Sequence, residues 1–212
     1  MSAASFSAGA ALPRNSSRFD RRLSRILHHA TEIFCDKGYE RASMRDLSRS
    51  CAMSLAGLYY YFDSKERLLY LIEKELFEQV MELLTGKLEG VTDPEQRVRI
   101  FIGNHIGFFL SNQKAMKVLA HEDDVLKGKM GAEIAAIKRE YYRACSDLLH
   151  ELKRGKELNF NCRSAAMSLF GMMNWLHTWY NAKVDGAPEI LAEEISEIFL
   201  RGVYAKNGLN GT

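Results

Sequence analysis

The chain has 212 residues, 47% hydrophobic and 26% charged, with a formal net charge of +2 at pH 7 and only three prolines. That balance suits a globular, largely helical protein with a sizeable core and excludes collagen-like or intrinsically disordered classes. No stretch approaches the roughly 20 apolar residues of a membrane span, and nothing predicts a membrane partner.

The opening MSAASFSAGAALPRNSS lacks the basic start and continuous apolar middle of a secretory signal, and residues 1–18 read as a disordered tail. Over residues 19–37, Leu23, Ile26, Leu27, Ala30, Ile33 and Phe34 recur at helical spacing. Gly38 follows where a left-handed C-terminal cap needs it, and Tyr39 can fold back on the packed face. Ser43 and Asp46 have the spacing of a capping box, with Leu47 turned inward. Cys51-Ala52-Met53 is small and apolar enough for a tight turn. Ser54 then caps a second helix expected through Phe62, and Asp63-Ser64 caps a third. Capped helix, tight turn and aromatic helix together are the pattern of a helix-turn-helix.

Residues 65–89 read as one long helix with Leu68, Leu69, Ile72, Leu76, Val80 and Leu83 inward, closed by Gly90. Asp93-Pro94 opens the next helix with proline in its first turn. Further helices are expected over residues 95–111, 115–126, 130–154, 162–181 and 189–204, with no sustained strand alternation. The fold class is therefore all-α. A tail (1–18) precedes a helix-turn-helix head (19–67), then a helical body (68–206), to which the resemblance described below adds ligand binding and dimerisation, and a tail (207–212).

Between Arg14 and Arg67 stand eleven Lys or Arg against seven Asp or Glu, which leaves a mildly acidic remainder. A basic front suits phosphate contact at that end, and Arg14 and Arg18 are candidates to reach DNA. In a helix-turn-helix the second helix enters the major groove N-terminus first, so Ser54, Leu55 and Gly57 lead it. Arg45 has the fork to read guanine, and Tyr59 and Tyr60 offer hydroxyls to phosphates. Lys65 opens the next helix, where charge and free N–H groups can hold a phosphate.

The head resembles the TetR family of bacterial one-component transcriptional repressors. Phe34, Gly38, Tyr39, Ser43, Met44, Arg45, Asp46 and Leu47 match that family's F-x-x-x-G-Y-x-x-x-S-M-R-D-I/L stretch. Ser54, Leu58, Tyr59, Tyr60, Tyr61, Phe62, Ser64, Lys65, Glu66 and Leu68 match its S-x-x-x-L-Y-Y-H-F-x-S/N-K-E-x-L pattern. The resemblance covers about the first third of the chain and implies that Gly57, Tyr59 and Tyr61 also face DNA. The DNA-binding set is thus Ser43, Arg45, Ser54, Leu55, Gly57, Tyr59, Tyr60, Tyr61 and Lys65. Leu55, Ala56 and Gly57 stand where relatives often carry lysine, glycine and threonine, Tyr61 where histidine is common, and Asp63 where lysine is frequent. Direct base hydrogen bonding is accordingly expected to be sparse, with Leu55 on a thymine methyl and DNA shape carrying more of the specificity.

In the body, Ile190, Leu191, Glu194, Ile195, Ile198 and Phe199 form a stripe on the last helix. Leu169, Met172, Met173, Leu176 and Tyr180 form a face on the helix before it. The resemblance implies that these two helices pair with their symmetry mates in a homodimer that sets two recognition helices on a palindromic operator. The ligand-binding candidates are Phe101, His105, Phe108, Phe109, Met116, Tyr141, Tyr142, Phe170, Asn174, Trp175, His177 and Trp179, apolar walls with a few polar tips suited to a hydrophobic effector. The segment 170–181, FGMMNWLHTWYN, resembles the corresponding helix of TetR-type regulators of fatty-acid and steroid catabolism, several of which respond to acyl-CoA thioesters. Lys138, Arg139, Arg143 or Arg163 could meet the phosphates of such a ligand.

Cys35, Cys51, Cys145 and Cys162 lack C-x-x-C spacing and read as apolar residues of a reducing, cytoplasmic compartment. His105, His121 and His177 with Glu122, Asp123 and Asp124 fit no metal-ligand motif, and no nucleophile elbow or phosphate loop points to an enzyme. No cofactor or metal is expected. The reading is a ligand-responsive repressor released from its operator by a small hydrophobic effector. The competing class is a small-molecule binding protein or helical enzyme with a vestigial helix-turn-helix.

Overall fold

A computed structural model describes residues 18–121 and 125–205. Among these residues there are ten helices and no strand. The described residues separate into two compact units, one of residues 18–73 with 111–121 and 125–131 and the other of residues 74–110 with 132–205. The expected tails and Glu122, Asp123 and Asp124 lie outside the described residues, apart from Arg18, which opens the first helix. The side chain of His121 is likewise outside them.

The first unit holds α1 (Arg18–Lys37), α2 (Met44–Ser50), α3 (Leu55–Tyr59), the start of α4 (Lys65–Leu88) and α6 (Gln113–His121). Its core is Ile26, Leu27, Ala30 and Phe34 of α1 with Leu47, Leu58, Phe62, Leu68 and Leu69, all buried. Burying each aliphatic side chain of this kind stabilises the unit by about 1.5–3 kcal/mol. Gly38 takes the left-handed φ of 79° and donates to the Phe34 carbonyl at 2.9 Å, which ends α1. Tyr39 then turns back edge-on to Phe34, with ring centroids 5.3 Å apart.

α6 packs on α1, where Lys114 and Glu32 pair at 2.8 Å, so α6 belongs to the first unit. That pair holds the Glu32 carboxyl below its ordinary range, chiefly through the hydrogen bond from Lys114.

The second unit holds the rest of α4 with α5 (Pro94–Ser111), α7 (Gly128–Gly155, from Ala132), α8 (Cys162–Asn174), α9 (Leu176–Trp179) and α10 (Pro188–Ala205). The inward face of α4 continues through Leu76, Val80 and Leu84, while Leu83 is 46% exposed. The helix expected over residues 162–181 breaks at Trp175. There the Thr178 hydroxyl donates to the Trp175 carbonyl at 2.7 Å and His177 Nδ1 lies 2.7 Å from the Asn174 carbonyl. Side chains that capture carbonyls in this way compete with the helical ladder. α5 and α10 meet in opposite order along the chain, with Tyr204 donating to Glu95 at 2.7 Å and Arg99 bonding Glu95, Glu193 and Glu197 at 2.6–2.9 Å.

Candidate nucleic-acid interface and ligand cluster

The geometry of α2 and α3 is fixed by short polar side chains. Ser43 Oγ accepts from the Asp46 amide at 3.2 Å, and Asp46 Oδ2 accepts from the Ser43 amide at 3.1 Å. This is a complete capping box. The Lys37 ammonium, 2.9 Å from Asp46 Oδ1, and the Ser43 groups hold that carboxyl well below its ordinary range. The turn follows: Ser48 Oγ donates to the Met53 carbonyl at 2.6 Å, and Ala52 takes a left-handed φ of 49°. Ser54 then caps α3 by accepting from the Gly57 amide at 3.0 Å. A Cβ at Gly57 would stand 3.1 Å from that Ser54 oxygen, so glycine leaves room for the cap.

α3 is shorter than expected, ending at Tyr59 rather than Phe62. Tyr61 closes a tighter turn through its amide to the Leu58 carbonyl, and its ring stacks on Phe19 at 4.9 Å, while Phe62 is drawn into the core. Phe19, at the start of α1, joins Tyr60 and Tyr61 in one aromatic group, a partner that local sequence pattern did not single out.

The sequence-derived contacts divide accordingly. Arg45, Tyr59 and Tyr60 are exposed, Tyr60 by 77%, and are free to meet a polyanion. Leu55 and Gly57 are half-buried, and Tyr61 is half-buried against Phe19. Ser43 and Ser54 act as caps. The Lys65 ammonium bonds the carbonyls of Tyr39, Glu40 and Ala42 at 2.6, 3.3 and 3.2 Å and lies 4.0 Å from the Tyr39 ring centroid. An ammonium has three donors, and all three are engaged within the head, so the side chain clamps the loop after α1 to the start of α4.

In the second unit, α5, α7 and α8 bring Phe101, His105, Phe109, Tyr141 and Phe170 into one ring cluster with centroid separations of 4.4–6.5 Å. Phe108 packs edge-on to Phe109, and Tyr142 stacks on Phe170. Phe77 of α4 also enters the cluster, edge-on to Phe109 and Tyr141, a member that the helical pattern of residues 65–89 does not single out. His105 Nδ1 sits 3.0 Å from the Tyr141 hydroxyl, while its buried Nε2 completes no hydrogen bond. Burial drives its pKa down to about 3, against a smaller upward pull from Asn174, so the imidazole is neutral. Burial also pushes the Cys145 thiol up to about 12, which leaves it an inert apolar group.

Most of the remaining candidates fall elsewhere. Trp175 and Trp179 are 65% and 48% exposed, as Met167, Val184, Ile190 and Ile198 also are, and are not part of the buried ring cluster. Asn174, although exposed, reaches the cluster through its side chain's interaction with His105, while His177 is half-buried over the α8 break and Met116 lies on α6 in the first unit. In the α10 stripe, Leu191, Ile195 and Phe199 are buried while Ile190 and Ile198 remain open. Isolated helix periodicity cannot separate a face that is covered within the chain from one that is not.

Comparison with known proteins places these parts in a family context. Residues 26–70 match the family model of bacterial regulatory proteins, tetR family, and residues 91–203 match that of the tetracyclin repressor-like C-terminal domain. The HTH-type transcriptional regulator UidR of Escherichia coli strain K12 is 26% identical over 186 residues, 87% of this chain and 90% of that protein. A bacterial regulatory protein in the tetR family from Rhodococcus RHA1 superposes with a TM-score of 0.80 at 23% identity, covering 89% of this chain and 98% of the other, and shares the fold. AibR, solved in complex with isovaleryl coenzyme A and operator DNA, superposes with a TM-score of 0.72 at 25% identity over 87% of this chain and 99% of its own.

Proposed function

The chain belongs to the tetR family of bacterial regulatory proteins, and from that membership we propose that it is a repressor whose dimer binds a palindromic operator and is released by a small hydrophobic effector. The observation that carries the reading is α4, a continuous helix from Lys65, clamped in the head, to Phe77, embedded among the rings, and on to Leu88. An effector that displaces the Phe77 ring displaces a helix that also holds the DNA-reading elements. Release then requires only that the effector bind the free form more tightly than the operator-bound form.

The effector class follows from the cluster. Its walls are aromatic, with the His105 Nε2 and the Tyr141 hydroxyl as buried polar tips. An acyl chain bearing one carbonyl fits that chemistry, and the isovaleryl coenzyme A complex of AibR supports an acyl-CoA thioester. Lys138, Arg139, Arg143 and Arg163 are partly or fully exposed and can meet its phosphates. Met167, Trp175, Trp179, Ile190 and Ile198, exposed apolar side chains of the α8–α10 region, are residues against which a second copy would pack.

The experiment is a titration of short-, medium- and long-chain acyl-CoA thioesters, with free coenzyme A as control, into the complex of the protein with its own upstream DNA. Chain-length-dependent release supports the reading. Equal affinity of the thioester for free and DNA-bound protein overturns it.

A further inference from the structure

α3 is a helix of five residues, Leu55–Tyr59, and a helix so short is marginal unless its surroundings hold it. Its start is held by the Ser54 cap and its middle by the buried Leu58. The far end is held by the buried Phe62 and by a group of rings. Phe19, in the first turn of α1, stacks on Tyr61 with centroids 4.9 Å apart and planes inclined by 24°. The same ring meets Tyr60 edge-on at 6.3 Å, and Tyr60 meets Tyr61 edge-on at 5.4 Å. Each ring thus touches the other two, in the stacked and edge-to-face arrangements that aromatic pairs favour.

The group is too open to be explained as core. Phe19 is 43% exposed and Tyr60 is 77% exposed, so little apolar surface leaves water here. A tyrosine as open as Tyr60 ordinarily swings among its staggered rotamers. Here two neighbouring rings confine it. One of them is Phe19, and the other, Tyr61, is itself held by stacking on Phe19, so both restraints depend on the one residue. Phe19 is also the chain neighbour of the exposed Arg18 and lies one turn from the exposed Arg22. The confined phenol therefore stands at the end of α3 near positive charge, where a phosphate is drawn.

We propose that Phe19 is a positioning residue for DNA binding. By stacking on Tyr61 and meeting Tyr60 edge-on, it holds the Tyr60 phenol in the direction in which its hydroxyl donates to a backbone phosphate, before any DNA arrives. The inference rests on the reading of the head as a DNA-binding helix-turn-helix. A side chain that must be immobilised on association weakens binding by the rotamer freedom it loses, and one already confined loses less. Phe19 acts through Tyr60 and need not touch DNA itself. A phosphate contact carries no base information, so the gain is the same on any duplex.

The test is a double-mutant cycle on the full chain, read by fluorescence anisotropy with a duplex from upstream of the gene and a scrambled duplex of equal composition. Phe19→Leu keeps an apolar side chain and removes the ring, while Tyr60→Phe keeps the ring and removes the hydroxyl. Each single change is expected to weaken binding about threefold to tenfold, by the same factor on both duplexes. In the Tyr60→Phe background, Phe19→Leu is expected to cost less than about twofold, because no hydroxyl is left to position. Phe19→Tyr, which restores a ring, binds as the parent does. The thermal midpoint of Phe19→Leu stays near that of the parent, since leucine is the better helix former. If Phe19→Leu fails to fold, Phe19→Met supplies the same comparison. Losses that add in the double variant, a loss that follows a lowered midpoint, a loss confined to the upstream duplex, or no loss in either single variant overturns the proposal. A parent chain that binds neither duplex overturns it together with the DNA-binding reading. A parent that binds while Phe19→Leu binds equally well overturns the proposal alone.

Discussion

The Lys65 ammonium stands 2.6 Å from the carbonyl oxygen of Tyr39 and 4.0 Å from the centroid of the same residue's ring. One cation thereby closes the loop that follows α1 and ties it to the start of α4. Lys65→Met should lower the stability of the head by about 1–3 kcal/mol through lost charged hydrogen bonds and the lost ring contact. It should leave the salt dependence of DNA binding unchanged. Thermal unfolding and a salt titration of binding check the two halves; a flatter salt slope with unchanged stability would return Lys65 to the phosphate backbone.

Arg45 is exposed on the second residue of α2 and presents its guanidinium to solvent. Arg45→Ala should weaken binding to the cognate duplex by about 1–3 kcal/mol while changing stability by less than about 0.5 kcal/mol. Equal losses on cognate and scrambled duplexes in a gel-shift titration would reject base reading by this residue.

Ala52 holds a left-handed φ of 49° at the turn between α2 and α3. That conformation costs a non-glycine residue about 1–2 kcal/mol, so Ala52→Gly should stabilise the head, by up to about 1 kcal/mol after the greater freedom of glycine in the unfolded chain is subtracted. Differential scanning calorimetry checks the sign, and a lowered midpoint would show that the Cβ itself packs usefully.

His105 is neutral in the fold, with a pKa near 3, and takes up a proton near its ordinary value of 6.5 once unfolded. Between those values the unfolded chain binds more protons than the folded one. The stability linked to His105 is therefore complete above about pH 6.5 and falls with acidification, by at most about 1.4 kcal/mol per pH unit. Chemical denaturation at pH 7 and pH 5 should show this loss in the parent and a smaller one in His105→Gln. Parallel pH profiles would place the titration elsewhere.

The sequence made the head legible because its geometry is set by near neighbours. The Ser43–Asp46 box, the Gly38 cap and the Ser54 cap each join residues three or four apart, and the structure contains all three. The clamp made by Lys65 had no such local signal, because its carbonyl partners lie 23–26 residues away. The rings of Phe101, His105, Phe109, Tyr141 and Phe170 pack together, whereas Trp175 and Trp179 are open to solvent, since aromatic content alone does not say which side of a helix is covered. The contact of Phe19 with Tyr60 and Tyr61 left no trace in the sequence. It joins the first turn of α1 to the end of α3, and no local pattern pairs residues so far apart.

The account rests on the claim that this helix-turn-helix grips DNA. Fluorescence anisotropy of a labelled duplex from upstream of the gene, against a scrambled duplex of equal composition and over a range of salt, tests it most directly. The expected result is tighter binding to the upstream duplex, with log affinity falling linearly in the logarithm of salt concentration. Weak, salt-insensitive and equal binding to both would contradict it and favour a small-molecule binding protein whose helix-turn-helix is vestigial.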